Sequence, residues 1–124
     1  MFYIEADNTI HLTRGDVANL VVSASSEDKD YEFQMGDVVR FKVFKKRDCG
    51  CVELQKDVVV SATTKKIDIY LNGEDTKIGD LISKPTNYWY EIELNPDTTP
   101  QTIIGYDDAG EKVFRLYPEG SDRA

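Results

Sequence analysis

One histidine and two cysteines, His11, Cys49 and Cys51, supply all the imidazole and thiol chemistry in this 124-residue chain. A Ser-His-Asp triad would have to use His11. That residue sits beside Leu12 in an apolar run, so a place in a strand is expected for it rather than a catalytic one. Cys49 and Cys51 are separated only by Gly50. Alternate positions on a strand or tight turn suit no unstrained disulfide, and two thiols alone do not close a tetrahedral zinc site. They read as thiols at a hairpin end. Carboxylates cluster at Glu27-Asp28-Asp30, Glu74-Asp75 and Asp107-Asp108. None has the D-x-D-x-D-G spacing of a calcium loop, and solvated loops are expected. Glu91 and Glu93 share one strand face and are expected as the polar half of an alternation, rather than as the paired carboxylates that flank a glycosidase cleft. There is no Gly-x-Ser-x-Gly elbow, phosphate-binding glycine loop or His-Glu-x-x-His pair. The expectation is a non-enzymatic protein with no catalytic residue, cofactor or metal. Arg14-Gly15-Asp16 spells an integrin-binding tripeptide, but it lies between two apolar runs. It reads as a turn in which Gly15 supplies a positive φ.

The elements that position these residues are strands. Apolar runs recur every ten to fifteen residues with turn residues between them. Strands are expected over 2–5, 9–12, 17–24, 38–46, 52–60, 67–71, 88–94, 102–106 and 112–117, with 31–33 as a short strand or extended lead. The Arg47-Asp48-Cys49-Gly50 tip makes 38–60 a long hairpin. Residues 74–81 suit one helical turn or a loop. Asp107-Asp108-Ala109-Gly110 reads as a type I turn with Gly110 in the left-handed region. The fold class expected is all-β: an antiparallel immunoglobulin-like sandwich of about nine strands, with at most one short helical turn. It forms a single domain over 1–119, with 120–124 as a frayed tail. Its core is expected to hold Leu20, Val22, Phe41, Val43, Leu54, Ile67, Ile69, Tyr90, Ile92, Leu94, Phe114 and Leu116. Tyr88 is placed as a corner tyrosine whose hydroxyl bonds backbone upstream.

Composition narrows the partners. Charged residues make up 31% of the chain and hydrophobic ones 40%, an ordinary globular balance. A net charge of −8 repels phosphate backbones, so nucleic acid is not an expected partner. The dense basic cluster Lys45-Lys46-Arg47 reads as a solvated hairpin tip. No run approaches the ~18 apolar residues of a membrane span. The beginning of the chain has neither the basic nor the long apolar segment of a secretory signal, so synthesis in a cytoplasm without general export is expected.

Trp89 is the side chain that stands out. Alternation turns it away from Tyr88, Tyr90, Ile92 and Leu94, onto the outer face with Glu91 and Glu93. A tryptophan there is a candidate interface anchor or sugar-stacking platform, and Tyr70, facing opposite to Ile69 and Leu71, is a candidate to join it.

Thr9-Ile10-His11-Leu12-Thr13-Arg14-Gly15-Asp16, Met35-Gly36-Asp37-Val38-Val39-Arg40-Phe41-Lys42-Val43, Asp75-Thr76, the 88–94 strand and Phe114-Arg115-Leu116-Tyr117-Pro118-Glu119 follow in that order. Across about residues 9–119 this resembles the small β-sandwich proteins of phage and prophage tails and baseplates of Gram-positive bacteria. The nearest likeness is to the N-terminal domain of the phage baseplate upper protein family. The resemblance implies a virion structural part whose partners are other tail or baseplate proteins or further copies of itself. A carbohydrate-binding or host-adhesion module that meets a cell-surface glycan through exposed aromatics is the alternative.

Overall fold

Alternation of side chains makes the strands, and the turn residues end them. The computed structural model describes residues 2–26, 29–45, 52–78, 84–105 and 112–118. In chain order the strands are β1 (Phe2–Ile4), β2 (Ile10–Thr13), β3 (Ala18–Val22), β4 (Ser25–Ser26), β5 (Lys29–Asp30), β6 (Val38–Phe44), β7 (Val52–Val59), β8 (Ile67–Leu71), β9 (Thr86–Leu94), β10 (Gln101–Ile104) and β11 (Lys112–Tyr117). No helix occurs among the described residues. Residues 73–76 form hydrogen-bonded turns, in which Thr76 N–H donates to Asn72 O and Lys77 N–H to Glu74 O.

A seven-stranded sheet runs β1-β2-β11-β9-β6-β7, with β10 added beside β9, and β3 pairs with β8 in a second sheet. The inward residues Ala18, Leu20, Val22, Ile67, Ile69 and Leu71 of the smaller sheet share one buried cluster with Ile10, Leu12, Phe41, Val43, Tyr90, Ile92, Phe114 and Leu116 of the larger. Two sheets face each other across that cluster, a sandwich-like all-β arrangement. Burial of apolar area at about 25 cal/mol per Å2 makes this cluster the main source of stability.

Three sequence expectations differ from the fold. The larger sheet is mixed, because β2 and β11 run parallel, pairing Ile10 with Phe114 and Leu12 with Leu116. Hairpins reveal only pairings between chain neighbours. A parallel pair needs a long connection, and here everything between β2 and β11 supplies it. The strand count also exceeds about nine, because the short β4–β5 pair falls in a stretch read as a polar loop. Leu54 is packed against the core but only partly buried, since β7 is an edge of the sheet.

The other core expectations hold, and the cluster extends to Phe33, Val60, Ile78 and Tyr88. Gly15 and Gly36 both take positive φ, 88° and 95°, as their turns require. Arg14 is only 8% exposed, with its Nε donating to Ile78 O, so the Arg-Gly-Asp tripeptide is part of a packed turn. The Cys49/Cys51 site, the Lys46-Arg47 part of the basic cluster, the Asp107–Gly110 turn and the 120–124 tail lie outside the described residues.

Candidate interaction face

The outer face of the large sheet is assembled from the outward phase of each strand. Register places the side chains in transverse rows. Phe44 of β6 stands opposite Trp89 of β9, and Trp89 stands opposite Val113 of β11. All three are half-buried. At the sheet edge Val52 of β7 pairs with Phe44 through a register shift, so exposed Val52 extends the row. The result is an apolar strip lying between charged and polar rows of the face, whose far end carries a second apolar pair, Val38 and exposed Val59.

On one side of the strip lie the ion pairs. Lys42 and Glu91 are opposite each other, as are Arg40 and Glu93. Lys42 Nζ is 2.7 Å from Glu93 Oε1 and sits 5.6 Å from the Phe44 ring centroid, which ties this row to the apolar one. Arg40 grips Asp57 bidentately, Nε to Oδ1 at 2.9 Å and Nη2 to Oδ2 at 3.0 Å, and reaches Asp97 at 3.1 Å. Hydrogen bonding to Asp57 first, then to Asp97, raises the Arg40 guanidinium above its ordinary value. The same bond with Arg40 is the main cause holding the Asp57 carboxyl below the usual carboxylate range.

On the other side the next row reads Asn87, Arg115, His11, Tyr3 across four strands. Arg115 Nη1 donates to Asn87 Oδ1 at 2.8 Å. The His11 ring stacks on Tyr3 at 4.3 Å between centroids, and its Nδ1 is 2.8 Å from the Tyr117 hydroxyl. Its Nε2 lies 3.1 Å from Glu5 Oε1. His11 is thus a buried packing residue that fastens the edge strand β1 to β2. The neighbours its ring nitrogens meet are a tyrosine and a glutamate.

Trp89 lies where alternation puts it, on the outer face with Glu91 and Glu93. Tyr70 does not join it. Tyr70 is 56% exposed on β8, opposite Asn19 of β3, on the outward side of the smaller sheet. The two candidates therefore sit on opposite faces of the sandwich and share no platform. Tyr70 has exposed Val21 diagonally across the β3–β8 pair. The sequence reading missed Phe44 and Val113 as companions of Trp89. Phe44 continues the outward phase of Arg40 and Lys42, so its facing was readable. Its position opposite Trp89 depends on inter-strand register, which one sequence does not carry.

Asp75, one of the acidic-loop residues, is used structurally. It exchanges hydrogen bonds with Asn72, and its carboxylate lies 3.0 Å from Lys56 Nζ. No group of three or more His, Cys, Asp or Glu side chains suited to a metal ion occurs among the described residues. No helix long and apolar enough to cross a membrane occurs among the described residues. No protein-family profile matches the chain, and no significant match was found among curated proteins or solved structures.

Proposed function

We propose that this chain is a non-enzymatic structural and interaction protein of a phage or prophage tail or baseplate, and that it docks through the outer face of its large sheet. The observation that carries the docking face is the Phe44–Trp89–Val113 row. An aromatic-centred apolar strip flanked by charged and polar rows has the make-up of an interface core within a polar rim. The virion assignment is supported by the sequence resemblance described above, whose motifs here form turns entering β3 and β6.

An immunoglobulin-like reading of the fold accompanies this proposal. The order β11-β9-β6-β7 across from β3-β8 matches the G-F-C-C′ sheet over the B-E pair of variable-type immunoglobulin domains. The chain passes through these strands in the corresponding order, which supports that reading.

The test is Trp89→Ala, followed by light scattering and by binding to the neighbouring tail proteins. The expected outcome is an unchanged circular dichroism spectrum and association weakened about 30-fold, the effect of losing a hot spot of about 2 kcal/mol. A variant that unfolds would make Trp89 a core residue. A wild-type protein that stays monomeric, with partner binding untouched by the substitution, would refute the docking face.

A further inference from the structure

A cavity of about 380 Å3 opens at the end of the sandwich where β3 and β9 stop and β10 begins. It lies on the rim between the sheets rather than on the outer face that carries Trp89. Loops gathered at one end of a sandwich are where such folds build ligand sites, and the volume falls in the range of small-molecule pockets.

Its lining has an unusual composition for this chain. Twelve described residues line it and none is charged, although 31% of the chain is. Asn8, Ser23, Ser25, Tyr31, Gln101 and Thr102 contribute hydroxyl and amide groups. The rest are aliphatic, among them buried Leu94 and half-buried Ile104. Asn8 is itself held in an uncommon conformation, at φ 71°, and the buried Tyr90 hydroxyl donates to its carbonyl. Tyr31 is held by a 2.8 Å hydrogen bond to Asp37 and by edge contact with Phe33. Both walls are therefore anchored to the core.

This chemistry selects the ligand. An anion would meet no lysine or arginine among these lining residues, and the net charge of −8 would repel it. A cation would meet no carboxylate there. A purely apolar molecule would desolvate hydroxyls and amides without returning hydrogen bonds, which is unfavourable. A neutral molecule with hydroxyls on its edge and C–H groups on its face satisfies both halves of the lining. We propose that this cavity is a binding site for a neutral saccharide, of one or two sugar rings. The site and its ligand are independent of the assembly reading.

The experiment is a 1H–15N NMR titration of the full chain with glucose, galactose, N-acetylglucosamine and rhamnose, each to about 10 mM, tenfold above a weak millimolar dissociation constant. Glucuronate serves as the anionic control. The expected result is saturable shifts from at least one neutral sugar at the amides of Ser23, Ala24 and residues 101–104, with none from glucuronate. Ser23→Trp, which fills the cavity from an exposed position, should abolish those shifts while the remaining spectrum stays dispersed. Gln101→Ala, a milder change, should weaken them about tenfold and keeps the test decisive if Ser23→Trp misfolds. The proposal is overturned if no neutral sugar shifts these amides or if glucuronate does so equally. Shifts that gather on the Phe44–Trp89–Val113 row, or that survive both substitutions, overturn it as well. None of these readings depends on whether the protein associates.

Discussion

Asp37 concentrates more interactions than the turn motif around it suggests. Its Oδ2 accepts from the Tyr31 hydroxyl at 2.8 Å and from Gln34 N–H at 2.9 Å, and its Oδ1 accepts from Asn95 Nδ2 at 3.2 Å. Asn95, in the left-handed region at φ 49°, in turn accepts Val38 N–H on its own Oδ1. One carboxylate thus joins the segment before β6 to the turn after β9. Burial alone would raise the Asp37 pKa, but the bonds from Gln34, Tyr31 and Asn95 outweigh it and the net shift is downward. Asp37→Ala is expected to cost about 2 kcal/mol in urea unfolding at pH 7, since three donors lose their acceptor. The pH dependence follows from the direction of the shift. A carboxyl depressed in the folded state contributes fully above its unfolded value, about 3.9, and loses that contribution as pH falls through the folded value. Asp57 shifts the same way, through Arg40 first. Its pair with Arg40 is more exposed, so Asp57→Asn is expected to cost only about 0.5 kcal/mol. Urea midpoints measured from pH 7 down to pH 2.5 should fall below about pH 4 in the wild type. They should fall less steeply in Asp37→Ala and in Asp57→Asn. The sequence made Gly36-Asp37 legible as a turn because glycine followed by aspartate is a local signal. The partner Asn95 was not legible, because it lies 58 residues away and reaches Asp37 only once β6 and β9 have paired.

Between elements, two turns hold each other. Thr76, fully buried, donates its hydroxyl to Asp16 O at 2.7 Å and lies 3.2 Å from Gly73 O. Gly73 lies so close to the first turn that an added Cβ would stand 2.9 Å from Gly15 O. That approach is backbone against backbone, so neither side can yield by a rotamer change. Gly73→Ala should push the turn before β3 away from the turn after β8, at a cost of about 1–3 kcal/mol. Thr76→Val keeps the volume but leaves the Asp16 carbonyl without this donor, for about 1–2 kcal/mol. Thermal unfolding of the two single variants and the double tests the coupling, which should be non-additive because both act on one contact. Asn72-Gly73 was readable as the end of a strand, and the glycine was readable as a turn residue. Its need to be a glycine comes from Gly15, far off in sequence. The alternating strands themselves were the most legible elements. Ala18–Val22, Val38–Phe44, Ile67–Leu71 and Thr86–Leu94 each follow the period-two rule, with buried and less buried positions alternating through most of their length. Short strands carried by pairing alone, such as Ser25–Ser26, have too few residues to show any period.

At the scale of the whole molecule, the parallel β2–β11 contact sets how the sandwich closes. His11 and Tyr117 meet across 106 residues of chain, whereas β6 and β7 are neighbours in sequence and pair through a hairpin. Loop-closure entropy rises with the length of chain enclosed, so the β6–β7 hairpin can form before the β2–β11 pair. The two ends of the domain then dock onto a sheet already seeded by β6, β7 and β9. Leu116 and Val43 offer a matched probe, since both are fully buried aliphatic residues of the large sheet. Leu116→Ala and Val43→Ala should each destabilise by about 2–4 kcal/mol, by lost transfer energy and the cavity left behind. Their kinetics should differ. Val43, inside the early hairpin, should slow folding. Leu116, paired with Leu12 only at the end, should leave the folding rate nearly unchanged and speed unfolding instead. Stopped-flow chevrons of the two variants decide between these orders. If Leu116→Ala slows folding as much as Val43→Ala does, the parallel pair is already formed in the transition state and the chain closes end to end before its central hairpin is secure.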